Sequence, residues 1–272
     1  TVIKDSQEYA LSFGGELTDE TLQKIVSNYQ QMEADGMEEE LEKTDWQIVN
    51  SWLGTLYPEL RDTSNYKTMI SYVDPDKLTG FYERRQQVLD EFLEVSGQVG
   101  AEKEFLHQIE RKVEKPFHYE WVEGWSTLLG SMVADLGVVM ALFLGIVLSS
   151  LFAGEWHDNT STLVLTTRNG WGKIALAKIL TGLAFTVELF ALLAVSNVIS
   201  QLFFMGTAGW DMPIQNIKLI AVAPMNMLQA EIYEYAFVLL GAIGFAGIVM
   251  FISAAVKNNV LTLLLSLAVV YG

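Results

Sequence analysis

A run of 18 residues without a charged side chain, Leu136 to Ala153, constrains the fold of this chain more than any other feature. A helix rises about 1.5 Å per residue, so such a run is long enough to be a candidate membrane span. A polar connector follows over 154–173, and a second, mostly apolar segment runs from about 174 to 205. Two apolar helices joined by a short polar turn favour a helical membrane protein.

Hydropathy predicts four spans, at about 128–153, 174–205, 233–256 and 258–272. The last is incomplete, because its charge-free run has 15 residues and a span needs about 17–25. The chain also begins with Thr1. We therefore expect truncation at both ends. The predicted fold class is mainly α, a polytopic helical membrane protein with a large helical extracytoplasmic domain.

The charges divide the chain into two unlike parts. Residues 1–130 contain 26 acidic and 12 basic side chains, whereas 131–272 contain 7 and 5. We predict an acidic, mainly helical domain over 1–127, with Thr18 as a helix N-cap, and a transmembrane domain over 128–272. Nucleic acid is excluded as a partner because phosphate binding needs clustered Lys and Arg. The chain has no cysteine, which excludes disulfides and thiolate metal sites.

Aromatic residues precede the first predicted span: Phe117, Tyr119, Trp121 and Trp125. Amphipathic aromatics collect where a membrane meets water. We therefore favour an interfacial position for them, and packing inside the acidic domain is the alternative.

Basic residues in short loops predict the orientation. Arg168, Lys173 and Lys178 lie in or beside the first connector and Lys257 follows the third span, whereas 206–232 carries Lys218 alone. This asymmetry places 154–173 in the cytoplasm and residues 1–127 outside a plasma membrane that the chain crosses several times.

Small residues recur at every fourth position of the first span, a pattern that lets a second helix approach closely. They are Gly137, Ala141, Gly145, Ser149 and Ala153. Glu188 is the one ionisable residue deep in a span, about 15 Å along the helix from Lys178. Thr181, Ala184, Ala191 and Val195 share its side, so we expect it to face other helices. An intramembrane carboxylate indicates a functional site, and a structural hydrogen bond to a neighbouring helix is the equal alternative.

No catalytic constellation or cofactor motif is present. Gly170-Trp171-Gly172-Lys173 lacks the spacing of a phosphate-binding loop, and the three histidines are scattered. We predict no catalytic residue, metal or cofactor, and not an enzyme. Any ATP hydrolysis would take place on another polypeptide.

The connector resembles that of permease subunits of ATP-binding-cassette (ABC) transporters of the type-2, exporter-like class. In that family a Glu ends the second membrane helix, an apolar patch follows, and basic residues precede the third helix. Here Asn159-Thr160 stands where Gly-Thr is usual and Thr167 where Pro is common. The resemblance implies an ATPase-coupling segment made of Glu155, Trp156, Leu163, Val164, Leu165, Arg168, Lys173 and Lys178.

The layout is also similar to that of bacterial members, in which a large outer domain precedes the second family helix. Tyr119, Gly124 and Trp125 resemble the entry to that helix. The resemblance implies a permease that lies in the bilayer, pairs with a second permease as a homo- or heterodimer, and couples to a cytoplasmic ABC ATPase for export. The alternatives are a membrane-anchored receptor or assembly protein, and a secondary transporter that uses Glu188.

Overall fold

The computed structural model describes residues 14–37, 41, 46–65, 67–120, 122–157, 170–256 and 258–271. The prediction of a mainly helical chain is confirmed. Within these ranges, three helices are long and apolar enough to cross a membrane. The chain divides into a first unit, 1–126 with 204–230, and a second unit, 127–203 with 231–272.

In its described residues, the first unit contains four α-helices and a short two-stranded sheet. The helix α1 begins after Thr18, whose hydroxyl accepts from the backbone N–H of Thr21, and two acids in its first turn favour the positive end of the helix dipole. The elements are β1 (Gly15–Glu16), α1 (Asp19–Ala34), α2 (Trp46–Leu56), α3 (Phe81–Val95), α4 (Ala101–Glu110) and β2 (His118–Tyr119). A short helix, α5 (Glu123–Thr127), leads toward the second unit.

Aromatic side chains form much of the core of the first unit. The Trp52 ring meets Tyr119 edge-on at 5.3 Å between centroids, and Phe81 meets Phe117 at 6.5 Å. Phe117 and Tyr119 are 1% and 4% exposed, so the interfacial position favoured for these two residues is wrong. Tyr119 is paired with Gly15 across β1 and β2, and the Leu17 N–H donates to the Phe117 carbonyl at 2.7 Å. Trp121 lies outside the described residues.

The segment 204–230 packs with the first unit, although the sequence had placed it within the membrane part. The Trp52 indole Nε1 donates to the Asn216 carbonyl at 3.1 Å, and the Asn216 amide donates to the His118 carbonyl at 2.9 Å. Leu219 belongs to the same apolar core. These partners lie about a hundred or more residues apart, so local patterning carried no sign of them.

The second unit contains the long apolar helices. A π-helical turn, Leu128–Met132, leads into α6 (Val133–His157), which is followed by α7 (Gly170–Met205), α8 (Met227–Val256) and α9 (Asn259–Tyr271). The helices α7 and α8 begin earlier than the predicted spans at 174 and 233. The helix α9 has an apolar stretch, Asn259–Val269, that is shorter than the other three.

The core of the second unit lies mainly between α6 and α8. Buried α6 residues recur at every fourth position and meet small and apolar residues of α8. They are Leu136, Met140, Leu144 and Leu148 on α6, and Ala242, Ala246, Val249 and Met250 on α8. The helix α9 packs along α6.

Candidate functional site

An ion pair joins the two helices that flank the connector. The Lys178 Nζ lies 2.6 Å from the Glu155 Oε1 and donates to the Leu151 carbonyl at 2.5 Å. It also lies 5.1 Å from the centre of the Phe152 ring. The Lys178 side chain therefore ties α7 to the C-terminal part of α6 through both a carboxylate and a backbone carbonyl.

The rest of the predicted coupling segment is described only at its edges. Trp156 lies in the last turn of α6, and Lys173 is exposed in the first turn of α7. Four predicted residues fall outside the described residues: Leu163, Val164, Leu165 and Arg168.

A buried serine joins α8 to the same end of α6. The Ser253 hydroxyl donates to the Ser149 carbonyl at 2.7 Å and accepts from the Ala153 and Phe152 N–H groups at 3.0 and 3.1 Å. Ser149 and Ala153 are four residues apart, the spacing of an α-helical hydrogen bond. The hydroxyl thus inserts into the backbone ladder of α6 and satisfies groups on both sides.

Close helix packing reinforces this end of the second unit. A Cβ added at Gly182 of α7 would lie 2.6 Å from the Met250 Sδ of α8 and 3.3 Å from a methyl of Leu151 on α6. A side chain at position 182 would have to displace the ends of these Met and Leu side chains, so glycine allows the three helices to approach closely at this point.

The predicted small-residue ridge of α6 meets two different neighbours. A Cβ added at Gly145 would lie 3.4 Å from a methyl of Leu263 on α9. Ser149 and Ala153 are buried and contact Ser253 through their backbone. Gly137 and Ala141 line an apolar cavity of about 250 Å³ that α6 forms with α8.

Glu188 lies on the exposed face of α7. The expectation that its side packs against the other helices is wrong for the described part of the chain. The four residues that share its side are also exposed: Thr181, Ala184, Ala191 and Val195. The inward face of α7 instead carries the buried residues Gly182 and Thr186. The helix α7 carries apolar residues on all of its sides. The spacing of its apolar residues therefore gives no indication of which side packs against other helices.

A polar cluster near the start of α8 was missed by the sequence analysis. Glu231 is 3% exposed, and the Tyr235 hydroxyl lies beside its carboxylate. The Asn197 amide on α7 donates to the Tyr235 hydroxyl at 3.3 Å. The sequence predicts a span that begins at 233, which leaves Glu231 in the loop before it. Extending the apolar helix back to Met227 would have placed two acids within it.

The first unit has an open cleft of about 430 Å³, within the usual range for small-molecule sites. Charged and polar side chains line it, including Lys112, Glu114, His118 and Asp211. Among the residues that the structure describes, no group of three or more His, Cys, Asp or Glu side chains could hold a metal ion.

Comparison with known proteins found no matching family model, no similar curated protein and no similar solved structure.

Proposed function

We propose that this chain is the permease subunit of an ABC transporter of the type-2, exporter-like class. It forms the translocation path with a second permease and couples to a separate cytoplasmic ATPase, in the direction of export. The observation that carries the proposal is the Glu155–Lys178 ion pair. It joins the helices on either side of a connector whose sequence resembles the coupling segment of that family.

In this mechanism, closure of the ATPase pair pushes on residues 155–173. The push reaches α7 through Lys178, reaches α6 through Glu155, and reaches α8 through Ser253. The helices then rock between inward- and outward-facing packings. The orientation that goes with this mechanism puts the connector in the cytoplasm and the first unit outside a bacterial plasma membrane.

A charge exchange between Glu155 and Lys178 tests the proposal. Glu155→Lys and Lys178→Glu each place like charges together, so each should lower the ATP hydrolysis that co-purifies with the full-length protein. We expect a loss of about tenfold, equivalent to about 1.4 kcal/mol of coupling free energy. The double exchange restores opposite charges and should recover much of the activity.

The matched control is an exposed ion pair in the first unit, Lys103 with Glu94, at 2.8 Å. Exchanging that pair should leave ATP hydrolysis unchanged. Absence of any co-purifying ATPase in mild detergent would contradict the permease, as would a double exchange that recovers nothing.

The cleft of the first unit favours a second candidate function, a membrane-anchored receptor. Its lining carries both signs of charge, from Lys112, Glu114 and Asp211, which suits a zwitterionic ligand such as an amino acid or short peptide. Thermal unfolding of the full chain with a panel of such compounds tests this candidate. A shift that Asp211→Lys abolishes, in a protein that binds no ATPase, would favour the receptor.

A further inference from the structure

Gln215 lines the cleft of the first unit and carries a buried acceptor that no described residue satisfies. The side chain is fully buried, and its Nε2 donates to the Ala221 and Ala223 carbonyls at 3.0 and 2.9 Å. Both amide hydrogens are therefore used, which leaves the amide only its acceptor. The Oε1 is sealed from solvent and receives no hydrogen bond within the described part of the chain. Such an acceptor gains free energy when a donor reaches it.

Hydrogen bonds join the chain segments that line the cleft. The Ile214 N–H donates to the Met225 carbonyl at 3.1 Å, and the Asn216 amide donates to the His118 carbonyl at 2.9 Å. All of these residues belong to the first unit. The backbone thus holds the cleft in place, as is usual for small-molecule sites, which are largely formed before their ligand binds.

Two methionines share the lining of the cleft with Gln215. They are Met212 and Met225. Methionine is unbranched and flexible, and it repacks readily around a ligand at a binding surface. A ligand can therefore reach the Gln215 acceptor by displacing the ends of side chains while the hydrogen-bonded backbone stays in place.

The charges of the lining favour a cationic donor. Two acids, Glu114 and Asp211, stand against one base, Lys112, and His118 is counted as neutral at pH 7. An ammonium group combines a positive charge with three N–H donors, whereas a carboxylate has no donor to offer Gln215. An ammonium therefore satisfies the buried acceptor and the excess of acid together. Lys112 is left to meet an anionic group elsewhere on the ligand.

We propose that the cleft binds a primary ammonium group, with Gln215 as the acceptor of its N–H and with Asp211 and Glu114 as its counter-charges. The ligand class is a small primary amine, which an amino acid, the N-terminus of a short peptide or a diamine can supply. This proposal rests on the second candidate function, a ligand site in this cleft, and adds which end of the ligand the cleft recognises. It is independent of the permease, because the cleft and the connector share no residue.

Thermal unfolding of the full chain in detergent, titrated with a matched series of dipeptides, tests the site. Alanyl-alanine carries the ammonium, its N-trimethyl derivative keeps the charge without an N–H donor, and its N-acetyl derivative lacks the charge. Alanyl-alanine should raise the unfolding midpoint in a saturable way, because a ligand that binds the folded state stabilises it. Its apparent affinity should exceed that of either derivative by about tenfold or more, since a hydrogen bond from a charged donor is lost in both.

Three further probes distinguish the sources of the amine. Alanine stands for an amino acid, alanyl-alanine amide for a peptide N-terminus without a carboxylate, and diaminobutane for a diamine. Saturable binding of any of them supports the ammonium site, and the tightest binder identifies the source.

Asp211→Asn removes one counter-charge from an exposed side chain. It should weaken the binding of alanyl-alanine several-fold and leave the ligand-free midpoint unchanged. The matched control is Glu91→Gln, which removes an exposed acid of α3 outside the cleft and should change neither quantity. The trimethylated dipeptide takes the place of a substitution at Gln215, because such a substitution would also break the bonds to Ala221 and Ala223.

Two results would overturn the proposal. Equal or tighter binding of the trimethylated or N-acetylated dipeptide would rule out recognition of the ammonium and leave the receptor candidate standing. A midpoint that no amine shifts would contradict both the ammonium site and the receptor. Neither result bears on the permease, which the Glu155–Lys178 exchange tests separately.

Discussion

Two buried acids, Glu110 in the first unit and Glu231 in the second, differ in the partners that surround their carboxylates. The Glu110 Oε1 lies 2.6 Å from the Arg85 Nη1 and 2.7 Å from the Lys115 Nζ. Burial alone would raise the pKa of Glu110, but hydrogen bonds and charges from Lys115 and Arg85 hold it below its ordinary value. Glu231 has no such partner. The first acid is therefore held by two basic side chains, whereas the second lies beside the Tyr235 hydroxyl alone among the described side chains.

Arg85, the partner of Glu110, makes further hydrogen bonds within the first unit. It is fully buried, and besides Glu110 it donates to the carbonyls of Leu219 and Ala221 at 2.8 and 3.1 Å. One guanidinium thus joins α3, α4 and the segment 204–230. In the second unit, the helices are instead held together by their close approach at Gly182 and by the hydrogen bonds of the Ser253 hydroxyl. Three substitutions can break or sharpen this contrast.

Glu110→Ala should have the largest effect. It leaves the Arg85 guanidinium buried without its carboxylate, and loss of one partner of a buried pair costs about 3–5 kcal/mol. Denaturant unfolding of the full chain, followed by tryptophan fluorescence, measures the loss.

The control is Glu94→Ala, which removes the acid of an exposed ion pair and should leave the unfolding midpoint unchanged. An unfolding free energy that falls equally in both variants would mean that the buried network has no special role.

Gly182→Leu should have an intermediate effect confined to the second unit. Its side chain would enter the space held by Met250, Leu148 and Leu151, and overpacking of this kind costs about 1–3 kcal/mol. Thermal unfolding in detergent measures the change. Gly172→Leu is the matched control, since nothing lies within 4 Å of a Cβ added there. Equal stability of the two variants would contradict the close approach of α6, α7 and α8.

Ser253→Ala should have the smallest effect. It removes the hydroxyl that bonds Ser149, Phe152 and Ala153, and hydrogen bonds between membrane helices contribute about 0.6 kcal/mol on average, up to about 1.7. Thermal unfolding in detergent again provides the measurement. Ser150→Ala is the control, because the Ser150 hydroxyl bonds only within α6, to the Val147 carbonyl at 3.1 Å. A midpoint that moves as little for Ser253 as for Ser150 would argue against the link between α6 and α8.

Much of the architecture could be predicted because its causes are local. The charge-free run at Leu136–Ala153 and the apolar segments after it predicted long helices, which the structure contains. Thr18 was predicted as a helix N-cap from its own side chain and the two acids that follow it. Such features depend on residues within a turn or two of each other, so a sequence window contains the whole signal.

The sides that face inward could not be predicted where a helix is apolar all round. Glu188 and Gly182 lie on the same helix, and only packing against α6 and α8 shows that Gly182 is inside and Glu188 is exposed. The aromatic residues Phe117 and Tyr119 had the composition of an interfacial belt, but backbone hydrogen bonds with the segment 15–17 place them in a core. In each case the deciding partner is distant in the sequence.

The sequence by itself determined that the chain is helical, that its acidity lies in the first half, and that its second half contains spans long enough for a bilayer. These properties follow from hydrophobicity and charge, which act residue by residue. Only the tertiary structure decided which charges are neutralised. Glu110 and Glu231 are both acids in helices, and the difference lies in whether folding brings a basic side chain within bonding distance. Coulombic energy depends on that distance and on burial, and neither is written in the local sequence.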